Sequence, residues 1–158
     1  MEQKPRTTSR PTDAPAGERL TEELRDELRD SPSLDTFVEG HDFPERTLSD
    51  YLQRLLAERG LVQPAVVREA GLDGGYGYQI FAGIKPHPGR DKVLQIAFAM
   101  GLTLREANRA LKLAGASPLY PKVRRDAIIA YCLDHGASLQ TADAELWRLG
   151  EETLSPRG

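Results

Sequence analysis

The side chains best suited to chemistry in this chain of 158 residues lie between residues 63 and 92, and they suit recognition rather than catalysis. The stretch QPAVVREAGLDGGYGYQIFAG, residues 63–83, reads as two short helices joined by a tight turn. Gly71 is the hinge, because glycine accepts the positive φ that such a turn needs. Asp73 follows it as a cap for the second helix. Two helices of this length joined in this way commonly set the second in the major groove of DNA. Catalytic alternatives find little to work with. No Ser/His/Asp set, Cys/His pair or pair of carboxylates has a recognisable spacing, so an enzyme is not expected. GGYGYQ is rich in glycine, but no strand precedes it and no Lys-Ser/Thr follows, so it is not a phosphate-binding loop. One cysteine (Cys132) and three scattered histidines (His41, His87, His135) make no metal-ligand cluster, and no metal or other cofactor is expected.

Composition sets the frame. Aromatic residues make up only 6% of the chain, which suits a helical bundle with a Leu/Ala/Val core. No apolar run reaches the length of a membrane span, and the polar N-terminus lacks the apolar core of a secretory signal. A cytoplasmic protein with no membrane association is the expectation, with Cys132 a buried thiol. The formal charge of −3 is not that of a strongly basic nucleic-acid binder, but its distribution is uneven. Residues 1–43 hold 6 Lys/Arg against 11 Asp/Glu, residues 44–115 hold 10 against 7, and residues 116–158 hold 5 against 6. The basic excess falls on the segment that contains the helical pair.

The elements that must position that pair follow in order. Residues 1–17 carry three prolines and almost no apolar side chain, and are expected to be a disordered tail. Residues 18–43 form an acidic helix and a connector. Leu20, Leu24 and Leu28 fall on one narrow stripe, suited either to docking on the chain's own core or to a second chain. Phe37 and Phe43 pin the connector, and His41 is a surface or capping residue. Residues 44–115 hold five helices. The first, from Thr47 to Arg59, opens on a capping box of Thr47 with Asp50, buries Leu48, Tyr51, Leu52, Leu55 and Leu56, and closes at Gly60. The second starts at Val62–Pro64 and the third spans 74–82. After the loop GIKPHPG, the fourth runs through RDKVLQIAFAMG with Val93, Leu94, Ile96, Ala97 and Met100 inward. The fifth begins at the capping box of Thr103 and Glu106 and ends at Gly115. Residues 116–158 add a helical hairpin on the same bundle. Val123, Ala127, Ile128, Tyr131 and Cys132 are expected on one buried face of its first helix. Leu139, Ala142, Leu146 and Leu149 are expected inside the second, with Trp147 partly in the core. Arg124 and Arg125 fall on a solvated face, and His135 sits at a helix C-terminus, where a cation suits the dipole.

The segment 47–115 resembles the Cro/cI-type, or XRE-type, helix-turn-helix family. Gln63 opens the second helix, Gly71 makes the turn, Ile80 is the apolar anchor of the third helix and Gly83 ends it. The prolines with "GRD" lead into the fourth helix, and "AMGLTLREAN" joins the fourth to the fifth. The resemblance implies an all-α, five-helix lambda-repressor-like domain, here extended by the C-terminal hairpin. It implies a dimeric, sequence-specific transcriptional regulator that binds double-stranded DNA through its third helix. Carried over residue by residue, Tyr76, Tyr78 and Gln79 read bases, with Gln79 able to pair bidentately with adenine. Gln63, Lys85, Arg90 and Lys92 hold the DNA backbone. Gly74 and Gly75 stand where the family usually has polar or basic side chains. Gly77 stands where an apolar residue usually meets a small one of the second helix, here Val67, and the exchange preserves their combined volume.

A second reading keeps the fold and changes its use. On it, the Tyr76/Tyr78 surface and the acidic N-terminal helix hold a protein partner, and no specific DNA binding occurs. The negative net charge and the glycines of the third helix favour it. Salt dependence separates the two readings, because only phosphate contacts weaken steeply with salt.

Overall fold

The computed structural model describes residues 21–35 and 45–156. The expected disordered tail, Leu20, Phe37, His41 and Phe43 lie outside the described residues. Eight helices fall wholly within them, and no strand does, so the described protein is all-α. The helices are α1 (Thr21–Asp30), α2 (Leu48–Arg59), α3 (Gln63–Glu69), α4 (Gly74–Phe81), α5 (Arg90–Met100), α6 (Leu104–Leu113), α7 (Arg124–Asp134) and α8 (Leu139–Arg148).

The chain divides after Pro44. The first unit contains α1, a charged helix on which Leu24 is half-buried, Leu28 is 53% exposed and Arg29 pairs with Asp26 at 2.9 Å. The second unit begins at Glu45 and holds the other seven helices.

Local signals explain where these helices start and stop. Thr47 accepts from the Asp50 amide at 3.1 Å and begins α2 with half of a capping box. Thr103 and Glu106 form the complete, reciprocal box at α6. Ser138 accepts from the Thr141 amide at 3.1 Å and begins α8. Pro64 fits α3 because the first helical turn has no partner for its missing N–H. The expected inward residues of α2 and α5 are all buried, and they share one core with Ile80, Phe81, Ala107, Ala110, Leu111, Ile129 and Leu146. Within it α4 packs on α2 and α3, α5 on α3 and α6, and the α7–α8 hairpin on α5 and α6.

In the hairpin, α8 buries Leu139, Ala142 and Leu146 as expected, whereas α7 differs from its expected register. Asp126, Ile129, Cys132 and Leu133 are the buried residues of α7, whereas Tyr131 is 63% exposed and Val123 48% exposed. Trp147, expected partly in the core, is 59% exposed. Leu149 is half-buried. The reason is ionic. Asp126 is drawn inward by Arg90, and this turns α7 so that Ile129 and Cys132, not Tyr131, follow it to the core. Arg125 is not on a solvated face either. Its guanidinium grips Asp91 through two bonds of 3.1 Å and donates to the Glu152 and Thr153 carbonyls. Arg124 donates to the Leu149 carbonyl and to Glu151, while Asp143 accepts from the Leu154 and Ser155 amides. Together these bonds fold residues 149–155 back onto the hairpin, and Leu154 is buried there.

Candidate nucleic-acid interface

The frame of the candidate surface is the α3–α4 pair. Ala70 to Asp73 connect the two helices, with Gly71 at φ +74°. That value lies in the left-handed region, where a side chain would be strained. Asp73 then caps α4, its carboxylate accepting from the Gly75 and Tyr76 amides at 3.1 and 3.3 Å. On the inner face of α4, Ile80 and Phe81 are buried to within 1%. Gly77 meets Val67 so closely that a Cβ added at residue 77 would lie 2.4 Å from Val67 Cγ1. The exchange of sizes read from the sequence is a physical contact, and it lets α3 and α4 approach where two larger side chains could not.

The outer face of α4 carries Gly74, Gly75 and Tyr78, all exposed, with Gln79 half-buried beside them. Tyr78 is 58% exposed. The Gln79 carbonyl accepts from the Ile84 and Lys85 amides, so the segment after α4 is tied to the helix end. Tyr76 departs from this surface. It is half-buried against the core, and the Lys85 ammonium lies 5.8 Å from its ring centroid. That contact holds Lys85 next to α4.

Gln63 is positioned by α2. Its Oε1 accepts from Gln53 Nε2 at 3.2 Å, and the same Gln53 nitrogen donates to the Phe81 carbonyl at 3.0 Å. One side chain of α2 thus links the start of α3 to the end of α4. With Oε1 engaged, the Gln63 amide nitrogen is left as its donor.

Arg90 and Lys92 are placed differently from the expectation. Arg90 directs two bonds to Asp126, at 2.9 and 2.8 Å, and two more to the Ser117 and Pro118 carbonyls, both at 3.0 Å. A guanidinium has five N–H donors, so little of Arg90 remains for a phosphate. It is a structural tie between α5 and the hairpin. The pair is mutually reinforcing. The bond from Arg90 holds the Asp126 carboxyl below its ordinary range against the opposing effect of burial, and Asp126 raises Arg90 in turn. Lys92 is half-buried and borders a groove with Trp147 and residues 150–156, grouped with the C-terminal segment rather than with α4.

Gln63, Tyr78 and Gly74 border one concavity, and the sequence reading missed a fourth member, Arg68. Arg68 is exposed on α3 and lines the same space. Its signal was its place two residues before the turn, where a long side chain lies beside the start of the following helix.

Elsewhere, a groove of about 710 Å³ runs between the outer faces of α7 and α8, bordered by Ile128, Tyr131, Ala137 and Leu149. Tyr131 stacks on His135 there, with ring centroids 3.9 Å apart. Among the described residues, no group of three or more His, Cys, Asp or Glu could hold a metal ion. No helix among them is long and apolar enough to cross a membrane. Comparison with known proteins assigns no family: no family model matches the chain, and no curated protein or solved structure matches it significantly.

Proposed function

We propose that α3 and α4 form a helix-turn-helix of the Cro/cI type, and that the protein is a sequence-specific DNA-binding transcriptional regulator. The observation that carries this reading is the outer face of α4. Tyr78 and Gln79 lie on a helix locked from behind by Ile80, Phe81 and the Val67–Gly77 contact. A locked helix with a bare, polar outer face is what readout of base edges requires. Gln79 offers an amide to adenine, and Tyr78 a hydroxyl or a ring edge. Gln63 and Lys85 flank α4 as backbone contacts, and Arg90 and Lys92 drop out of that set. Tyr76 serves by steadying Lys85. Because one such module spans only a few base pairs, the reading carries a two-fold dimer with it.

The test is a fluorescence anisotropy titration against DNA from upstream of the protein's own gene at two salt concentrations. Gln79→Ala should weaken binding to the preferred site by about tenfold, the scale of one bidentate base contact. Lys85→Ala should weaken all sequences alike and lower the salt slope by about one. Failure to bind any duplex at low salt would sink the proposal.

A second reading, a protein-binding module on the same scaffold, is favoured by the apolar groove of α7 and α8 with its exposed Tyr131. Binding of that kind would be nearly insensitive to salt.

A further inference from the structure

Gly74 and Gly77 lie one turn apart on α4, and their surroundings differ. A Cβ at Gly77 would strike Val67, whereas one at Gly74 would meet nothing within 4 Å. Packing therefore explains Gly77 and not Gly74. What the missing side chain leaves is open space, part of a concavity of about 420 Å³ between α3 and α4. Its base is apolar, formed by the buried Val67 and Leu72. Gln63, Arg68 and Tyr78 border it, and Arg68 is the only cation among its lining residues.

Two kinds of DNA group could meet Arg68 here, a phosphate or a base edge. The nearby charge separates them. The Asp73 carboxylate sits at the same end of α4 and already occupies the Gly75 and Tyr76 amides. It opposes a phosphate at that end. A base edge is neutral, and an apolar recess beside a guanidinium suits the flat edge of a purine. Guanine presents two acceptors, O6 and N7, in the major groove, and these match two donors of the guanidinium fork.

We infer that Arg68 is a specificity-determining residue that reads a guanine through the opening left by Gly74. The inference rests on the proposed DNA-binding reading. It moves part of the readout from α4, where Gly74 and Gly75 offer no side chains, to the neighbouring helix.

Selection from a pool of random duplexes with the full chain, alongside Arg68→Ala and Arg68→Lys, tests it. The wild type should enrich a motif with a guanine that Arg68→Ala no longer selects, while the other positions persist. On the selected site Arg68→Ala should bind about tenfold more weakly. On the same site with that guanine replaced, wild type and Arg68→Ala should bind alike. Arg68→Lys should keep the charge and lose most of the preference, since lysine lacks the planar fork. Gly74→Leu should also weaken the selected site without lowering the thermal midpoint, because a Cβ there meets nothing and leucine is the better helix former. If Arg68→Ala weakens every duplex equally, the residue holds a phosphate and the inference fails. An enriched motif that Arg68→Ala leaves intact also overturns it, with DNA reading itself upheld. A wild type that enriches no sequence overturns the DNA-reading proposal and this inference together.

Discussion

Gly77 and Val67 show how much one methyl group can decide. At 2.4 Å from Val67 Cγ1, a Cβ at residue 77 would force α3 and α4 apart. Gly77→Ala should cost about 1–3 kcal/mol by overpacking, even though alanine is the better helix former. Adding Val67→Ala should recover most of that loss, so the two changes will be strongly non-additive in urea denaturation. Additive losses would mean that the contact is not what sets the spacing. Asp126 is a second residue whose role is structural. It is 4% exposed, takes two bonds from Arg90, and accepts from the Tyr120 amide at 2.9 Å. Asp126→Asn should cost about 2–3 kcal/mol, because Arg90 then keeps its charge without its counter-ion. The contact of Val67 with Gly77 was legible in the sequence, as two departures that cancel. Asp126 was not, because an acidic residue in the first turn of a helix normally faces water and only the fold supplies its partner.

Among the elements, α2 to α6 were the most legible. Their apolar spacing, capping residues and terminal glycines all point the same way, and the observed bounds differ from the expected ones by about a residue. The hairpin was less so. Cys132 can share an apolar face with Ile128 and Tyr131, as expected, or with Ile129, as observed, and periodicity does not choose between them. The choice falls to Arg90 and Asp126, which are 36 residues apart. The same remoteness hid the true positions of Arg90 and Lys92 in the candidate site. Sequence reasoning grouped them with Lys85 by proximity along the chain, but the start of α5 faces the hairpin. At α6, Thr103→Ala should cost about 1 kcal/mol by removing half of a reciprocal cap, measured as a lower thermal midpoint. A similar loss is expected for Ser138→Ala at α8, where two bonds to Thr141 are at stake.

For the whole molecule, acid is the condition that reaches the most ties at once. Asp126 is held low by its bond from Arg90. Glu106 and Glu45 are also held low, in each case because hydrogen bonds and nearby arginines outweigh burial. A carboxyl with a depressed folded-state value adds stability above its ordinary unfolded value and loses it as pH falls through the depressed one. Stability should therefore be flat near neutrality, decline below about pH 4, and fall further as each carboxyl is protonated in the native state. Asp126→Asn should flatten part of that decline, which circular dichroism melts between pH 2 and 7 would measure. An acid profile identical to that of the wild type would mean that Asp126 is not among the groups responsible.

Consecutive residues of α5, Arg90 and Asp91, meet consecutive residues of α7, Arg125 and Asp126, in crossed pairs, so each side of the join presents one charge of each sign. Such a join is neutral from either side. Cutting the chain before α7 would expose apolar surface at Ile129's former neighbours, yet Arg90 and Asp91 would remain side by side as near-cancelling charges. The hairpin is thus joined to α5 by two ion pairs that leave no net charge on either side, while its apolar residues share the common core.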